Sequence, residues 1–192
     1  ELADAMEKIY PVALDALHDY DPVWQKCLDM GVAVACHTGD RGGMGRRSSP
    51  TNYVFNHLGC FAESGDYFAR CLFMDGVTRR FPGLNFAFLE GGVGWAAQLY
   101  NDIFEHWEKR NIDALHANLD PGQLDLELMA EMARQYGGDI ITPEAVCGQP
   151  KRPGMGGILS EAIEMDEFKA LQIESPDDIA GLFVAPFYFG CE

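Results

Sequence analysis

A chain of 192 residues that is 47% hydrophobic and 23% charged can bury a sizeable core, which excludes a disordered tail. Its 14 Lys and Arg against 30 Asp and Glu leave a net charge of −16, which argues against nucleic acid or an anionic membrane surface as a partner. No apolar run approaches the roughly 18 residues of a membrane span, and ELADAMEKIY at the start lacks the basic and apolar regions of a leader, so a soluble, cytoplasmic protein is expected.

The first stretch reads as helical and broken at Pro11. DYDPVWQKCLDMG then opens on an Asp-Pro helix start and closes on Gly31, and VAVAC follows as a short buried strand ending at His37. The polar loop TGDRGGMGRRSSPTN is too long and too rich in Gly and Arg for a tight connection, and loops of this size often carry function. Residues 53–80 read as helix in two pieces, with Gly65 and Gly76 as breaks. FPG turns the chain into LNFAFLE, a second strand that ends on Glu90 beside GGVGW.

Trp95, Leu99, Ile103 and Trp107 recur every four positions and mark the apolar face of a helix, which EKR closes with cations suited to its dipole. A further helix over 124–136 stops at Gly137-Gly138. Residues 137–175 read as an insertion with a short helix near 160–171, and LFVAPFYFG is the last strand, its start left open by Pro186. Six cysteines without a C-x-x-C pair, most of them in apolar segments, read as reduced core thiols.

Continuous apolar strands separated by helices predict a parallel sheet covered on both faces, hence an α/β protein, either doubly wound or a (β/α) barrel. In both, ligands meet the carboxyl ends of the strands, where His37, Glu90 and Glu192 stand. His37 suits a divalent metal, although one ligand is not a site. Glu90, partly desolvated at the end of an apolar strand, reads as a metal ligand, a general base or an acid serving a helix N-terminus, and the glycines at 91, 92 and 94 let a backbone or substrate come close. Arg41, Arg46 and Arg47 either clamp a substrate carboxylate or are ordinary loop charges. His57, set among apolar residues, is either a satisfied structural group or a ligand. The glycine-rich stretches match no phosphate-loop or dinucleotide fingerprint, and neither G-x-S-x-G nor H-E-x-x-H occurs.

Taken together, VAVACHTG, NYVFNHLGCFA and GVTRRFPGLNFAFLEGGVGWAAQLYNDIFEHWEKR resemble the amidohydrolase-related family of metal-dependent TIM-barrel enzymes, which includes aminocarboxymuconate semialdehyde decarboxylase. The resemblance runs over residues 20–110 and resumes at FYFGCE. It implies a fragment of a (β/α)8 TIM barrel, about strands 5 to 7 with their helices, in which residues 1–192 form one partial barrel domain and 137–175 an insertion within it. His37 is then the metal ligand of the fifth strand, Glu90 the catalytic residue of the sixth, and Arg46, Arg47, His57 and Trp95 the substrate-binding set. The implied cofactor is zinc or a similar divalent ion. The five histidines, at 18, 37, 57, 106 and 116, form no H-x-H pair, and no S-D-x-x-H segment is present. The expected function is therefore a piece of a metal-dependent hydrolase or non-oxidative decarboxylase for a small, carboxylated substrate, inactive alone, whose full-length parent pairs as a homodimer. The alternative is a non-catalytic half-barrel, a binding or regulatory module that requires a partner chain.

Overall fold

The computed structural model describes residues 12–37, 49, 51–118, 123–147 and 166–190. The helix expected before Pro11, the loop arginines 41, 46 and 47, and Glu192 lie outside them. The chain divides into two compact units, one of Glu1–Lys109 with Glu167–Glu192 and the other of Arg110–Asp166.

In the first unit, helix α1 (Asp21–Met30) starts with Pro22 in its first turn and stops at Gly31, whose φ of 64° lets its N–H reach back to the Leu28 carbonyl at 3.0 Å. Strand β1 (Val34–Cys36) follows. The short helix α2 (Tyr53–His57) is capped by the Asn52 side chain, which accepts from the Phe55 N–H at 2.9 Å. Helices α3 (Cys60–Met74) and α4 (Val77–Arg80) are separated by Gly76 at φ 72°. Gly65 does not break α3; it is buried inside it because a side chain there would collide with the Trp95 ring.

Strand β2 (Phe86–Phe88) leads into helix α5 (Gly94–Arg110), which buries Leu99 and Ile103 on the expected face. After the second unit the chain makes a 3-10 turn at Lys169–Leu171, forms helix α6 (Pro176–Phe183), and ends the described structure in strand β3 (Phe187–Phe189). Leu182 and Phe183 thus close a helix and do not open a strand: with Ile179 they are the buried face of α6, and Pro186 sits in the turn before β3.

The three strands are parallel and lie in chain order, β1-β2-β3, with Ala87 of the central strand level with Ala35 and Tyr188. Phe86 and Phe88 are almost completely buried. Around them pack Phe68 and Trp24 from the helices and Phe187 and Phe189 from β3, in edge-on and stacked ring contacts. Leu72, Phe73 and Val77 complete the core from α3 and α4.

This corrects the expectation of an α/β barrel fragment. Helices make up 59% of the described residues, and the sheet among them is a small one of three parallel strands of three residues each, which does not clearly show strands 5 to 7 of a barrel. The apolar runs VAVAC and LNFAFLE each contribute only three residues to the sheet, and VAVAC is not the buried strand expected: β1 stands at the edge of the described sheet, with Val32, Ala33 and Ala35 exposed and Val34 and Cys36 half-buried.

In the second unit, helix α7 (Ile112–Asn118) buries Leu115, and α8 (Leu126–Tyr136) is capped by Asp125, which accepts from the Leu128 N–H at 2.9 Å. Helix α9 (Pro143–Cys147) packs against α8, and the turn between them needs Gly137, where a Cβ would strike the carbonyls of Ala133 and Ile141. Residues 148–165, within the stretch expected as an insertion, lie outside the described residues. Among the described residues no helix is long and apolar enough to cross a membrane.

Candidate functional site

The carboxyl ends of the three strands are tied together by backbone hydrogen bonds. The Leu89 N–H donates to the Cys36 carbonyl at 3.0 Å, the Gly190 N–H to Phe88 at 2.8 Å, and the Gly92 N–H to Gly190 at 3.0 Å. This lacing fixes where each strand releases its next side chain. β1 releases His37 and β2, two residues past its end, releases Glu90. His37 Nε2 lies 3.2 Å from Glu90 Oε1. Both side chains are half-exposed, at 52% and 49%, so the carboxylate is less desolvated than its strand context suggests, and water or a small substrate reaches the pair.

Glu90 has a φ of 61°, in the left-handed region, next to Gly92 at 66°. A non-glycine residue there costs about 1–2 kcal/mol, and such strain collects at functional positions where the surrounding structure enforces it. Here the lacing to Cys36 and Gly190 enforces it. Gly91 is small for a second reason: a Cβ would lie 2.9 Å from Trp95 Nε1 and 3.3 Å from the Ala62 backbone. The sequence placed two glycines beside an acid; the structure shows one supplying a turn and the other making room for the indole.

Trp95 packs edge-on to Phe88 and Phe189, with ring centroids 5.5 and 5.3 Å apart. Its Nε1 is buried and has no hydrogen-bond partner among the described residues, so the indole nitrogen is not an open substrate contact. His57 does not meet Glu90 in a hydrogen bond. It stacks on Tyr53 at 5.2 Å and meets the edge of Phe61 at 5.2 Å, while His37 stands perpendicular to the same Phe61 ring at 5.4 Å. Phe61 therefore joins the two histidines. Sequence reasoning missed it, although its spacing of four from His57 is the signal that places two side chains on one side of a helical stretch. Arg46 and Arg47 lie outside the described residues.

Cys36, at the end of β1, has its thiol pushed up by burial, which keeps it protonated and a poor ligand or nucleophile. Among the described residues no group of three His, Cys, Asp or Glu side chains is arranged to hold a metal ion. His37 and Glu90 offer two donors, whereas catalytic zinc takes about three protein ligands. The described residues thus do not by themselves fit the expected metal centre. No family model matches the chain, and neither a curated protein nor a solved structure is found to be similar to it.

Proposed function

We propose that His37 and Glu90 are the proton-transfer pair of a hydrolase or non-oxidative decarboxylase acting on a small, carboxylated substrate. The observation that carries this reading is the 3.2 Å contact between Nε2 and Oε1 at the mouth of a parallel sheet, made by a glutamate held in left-handed backbone geometry. A carboxylate against an imidazole nitrogen orients the ring, the arrangement general acid–base catalysis uses. In the hydrolytic case the pair takes a proton from water as the water oxygen adds to a substrate carbonyl, and returns it to the leaving group as the scissile bond breaks. In the decarboxylating case the electron pair of the broken C–C bond stays on the substrate carbon, and the imidazolium delivers the proton that replaces CO2.

The test is an NMR-monitored screen of 13C-carboxyl-labelled aromatic acids and N-acyl amino acids, with and without added Zn2+. Although the resemblance implies a piece that is inactive alone, the His37–Glu90 contact is made within this chain, so release of CO2 or of the acyl group by the native chain is expected, falling about 10²- to 10⁴-fold in His37→Asn and Glu90→Gln. No turnover across the panel, or equal turnover in both variants, overturns the reading.

A further inference from the structure

We infer that a cleft at the amino ends of the strands is a binding site for a small α-amino acid with an apolar side chain. The cleft lies at the opposite end of the sheet from His37 and Glu90, since Asn85 and Pro186, both in its wall, immediately precede β2 and β3. It therefore stands apart from the proposed catalytic pair. Its volume is about 390 Å³, within the roughly 300–1,000 Å³ of small-molecule sites.

The charges in the wall decide the ligand. Three charged residues line the cleft: Arg79, Asp177 and Asp178. Asp178 is already committed, its Oδ2 accepting from the Ser175 N–H at 2.9 Å, the Glu174 N–H at 3.1 Å and the Ser175 hydroxyl at 3.2 Å. Arg79 donates through Nε to the Leu171 carbonyl at 2.7 Å and through Nη2 to the Gln172 carbonyl at 3.1 Å. Those two bonds hold the guanidinium in place, with Asp178 Oδ1 at 4.0 Å, and leave Nη1 without a hydrogen-bond partner among the described residues. The Asp177 carboxylate and the Asn85 amide have none among the described residues either.

One fixed cation and one uncommitted anion in a single cleft match a zwitterion. A ligand carboxylate takes Arg79 Nη1 and the Asn85 amide, the strong charge-assisted pairing for a guanidinium, and the ammonium takes Asp177. Pro82, Leu182 and Pro186 supply the apolar wall for the side chain. Thr78, only 5% exposed, backs the cleft from α4.

Gly181 of α6 provides the test, because a Cβ there meets nothing within 4 Å and the position opens on the cleft. Gly181→Leu fills the space with a better helix former than glycine and keeps the fold; Gly181→Ala leaves room. L-leucine titrated into the 15N-labelled chain is expected to shift the amides of Gly83, Asn85 and residue 181 saturably in the native chain and in Gly181→Ala. The shifts disappear in Gly181→Leu, whose circular dichroism and melting temperature hold, and Asp177→Asn weakens binding roughly tenfold. The inference is overturned if no saturable shift occurs in the native chain, if Gly181→Leu retains it, or if 4-methylpentanoate, which lacks the ammonium, binds as tightly as L-leucine.

Discussion

His37 and Glu90 meet at 3.2 Å although 53 residues separate them in the chain. The contact exists because β1 and β2 run parallel in matched register, Cys36 level with Phe88, so that both strands end at the same height. The glutamate meets the imidazole from a left-handed backbone, so under the proposed function stability and reactivity pull this residue in opposite directions.

Replacing Glu90 by glycine separates the two. Glycine adopts φ 61° without strain, and relief of about 1 kcal/mol, set against its greater freedom in the unfolded chain, leaves Glu90→Gly as stable as the native protein or slightly more so. A urea titration checks this. Turnover in the screen described above is lost, and a variant that unfolds much more readily than the native chain counts against the strain argument.

Gly91→Ala should act in the reverse direction. A Cβ 2.9 Å from Trp95 Nε1 and 3.3 Å from the Ala62 backbone has no flexible neighbour to displace except the indole. The expected cost is about 1–3 kcal/mol, typical of overpacking. The Trp95 indole N–H resonance moves with it, and an unchanged resonance would show that the loop tolerates the methyl group.

Arg80 joins two elements far apart in sequence. Its Nε and Nη2 pair with the Asp21 carboxylate at 3.0 and 2.8 Å, and Nη2 also reaches Asp75 at 2.7 Å. Asp21 first, and then Asp75, hold the guanidinium more firmly in its charged form. Lysine cannot reproduce the two-pronged contact. Because Arg80 is more than a third exposed, Arg80→Lys is expected to cost about 1 kcal/mol or less, shrinking further at high salt. Chemical denaturation at two ionic strengths measures it.

Acid should loosen the start of α6. The backbone N–H of Ser175, and then that of Glu174, hold the Asp178 carboxyl below the usual carboxylate range. A depressed folded value means that its contribution is complete above the unfolded value of about 3.9 and is lost as pH falls through the folded one. The urea midpoint of the native chain is expected to drop below about pH 4 more steeply than that of Asp178→Asn. Parallel profiles would remove Asp178 from the acid response.

The features that could be read from the sequence were those with a local cause. Pro22 and Gly31 mark the ends of α1, the four-residue steps from Trp95 to Trp107 mark α5, and Phe86–Phe88 is a strand where an apolar β-rich run stood. What failed had a non-local cause. Gly65 looked like a helix break, yet it exists to admit a tryptophan thirty positions later. LFVAPFYFG looked like one strand because the buried spacing of Ile179, Leu182 and Phe183 ran into it from upstream. Strand length, and with it the expected barrel, depended on pairing that no apolar run encodes. At the site, strand-end logic brought His37 and Glu90 together, but Phe61 lay outside any polar motif and the inward-facing role of the Trp95 indole required the glycines around it to be seen in three dimensions.

The order of the strands bears on how the molecule folds. Pairing Val34 with Phe86 closes a loop of about 50 residues, and pairing Phe86 with Phe187 closes one about twice as long, with all of Arg110–Asp166 inside it. Helices α7 to α9 can form from local contacts while that loop is still open. The central strand must wait for its second neighbour, so β3 docks late, and refolding is expected to be slow for a chain so rich in helix.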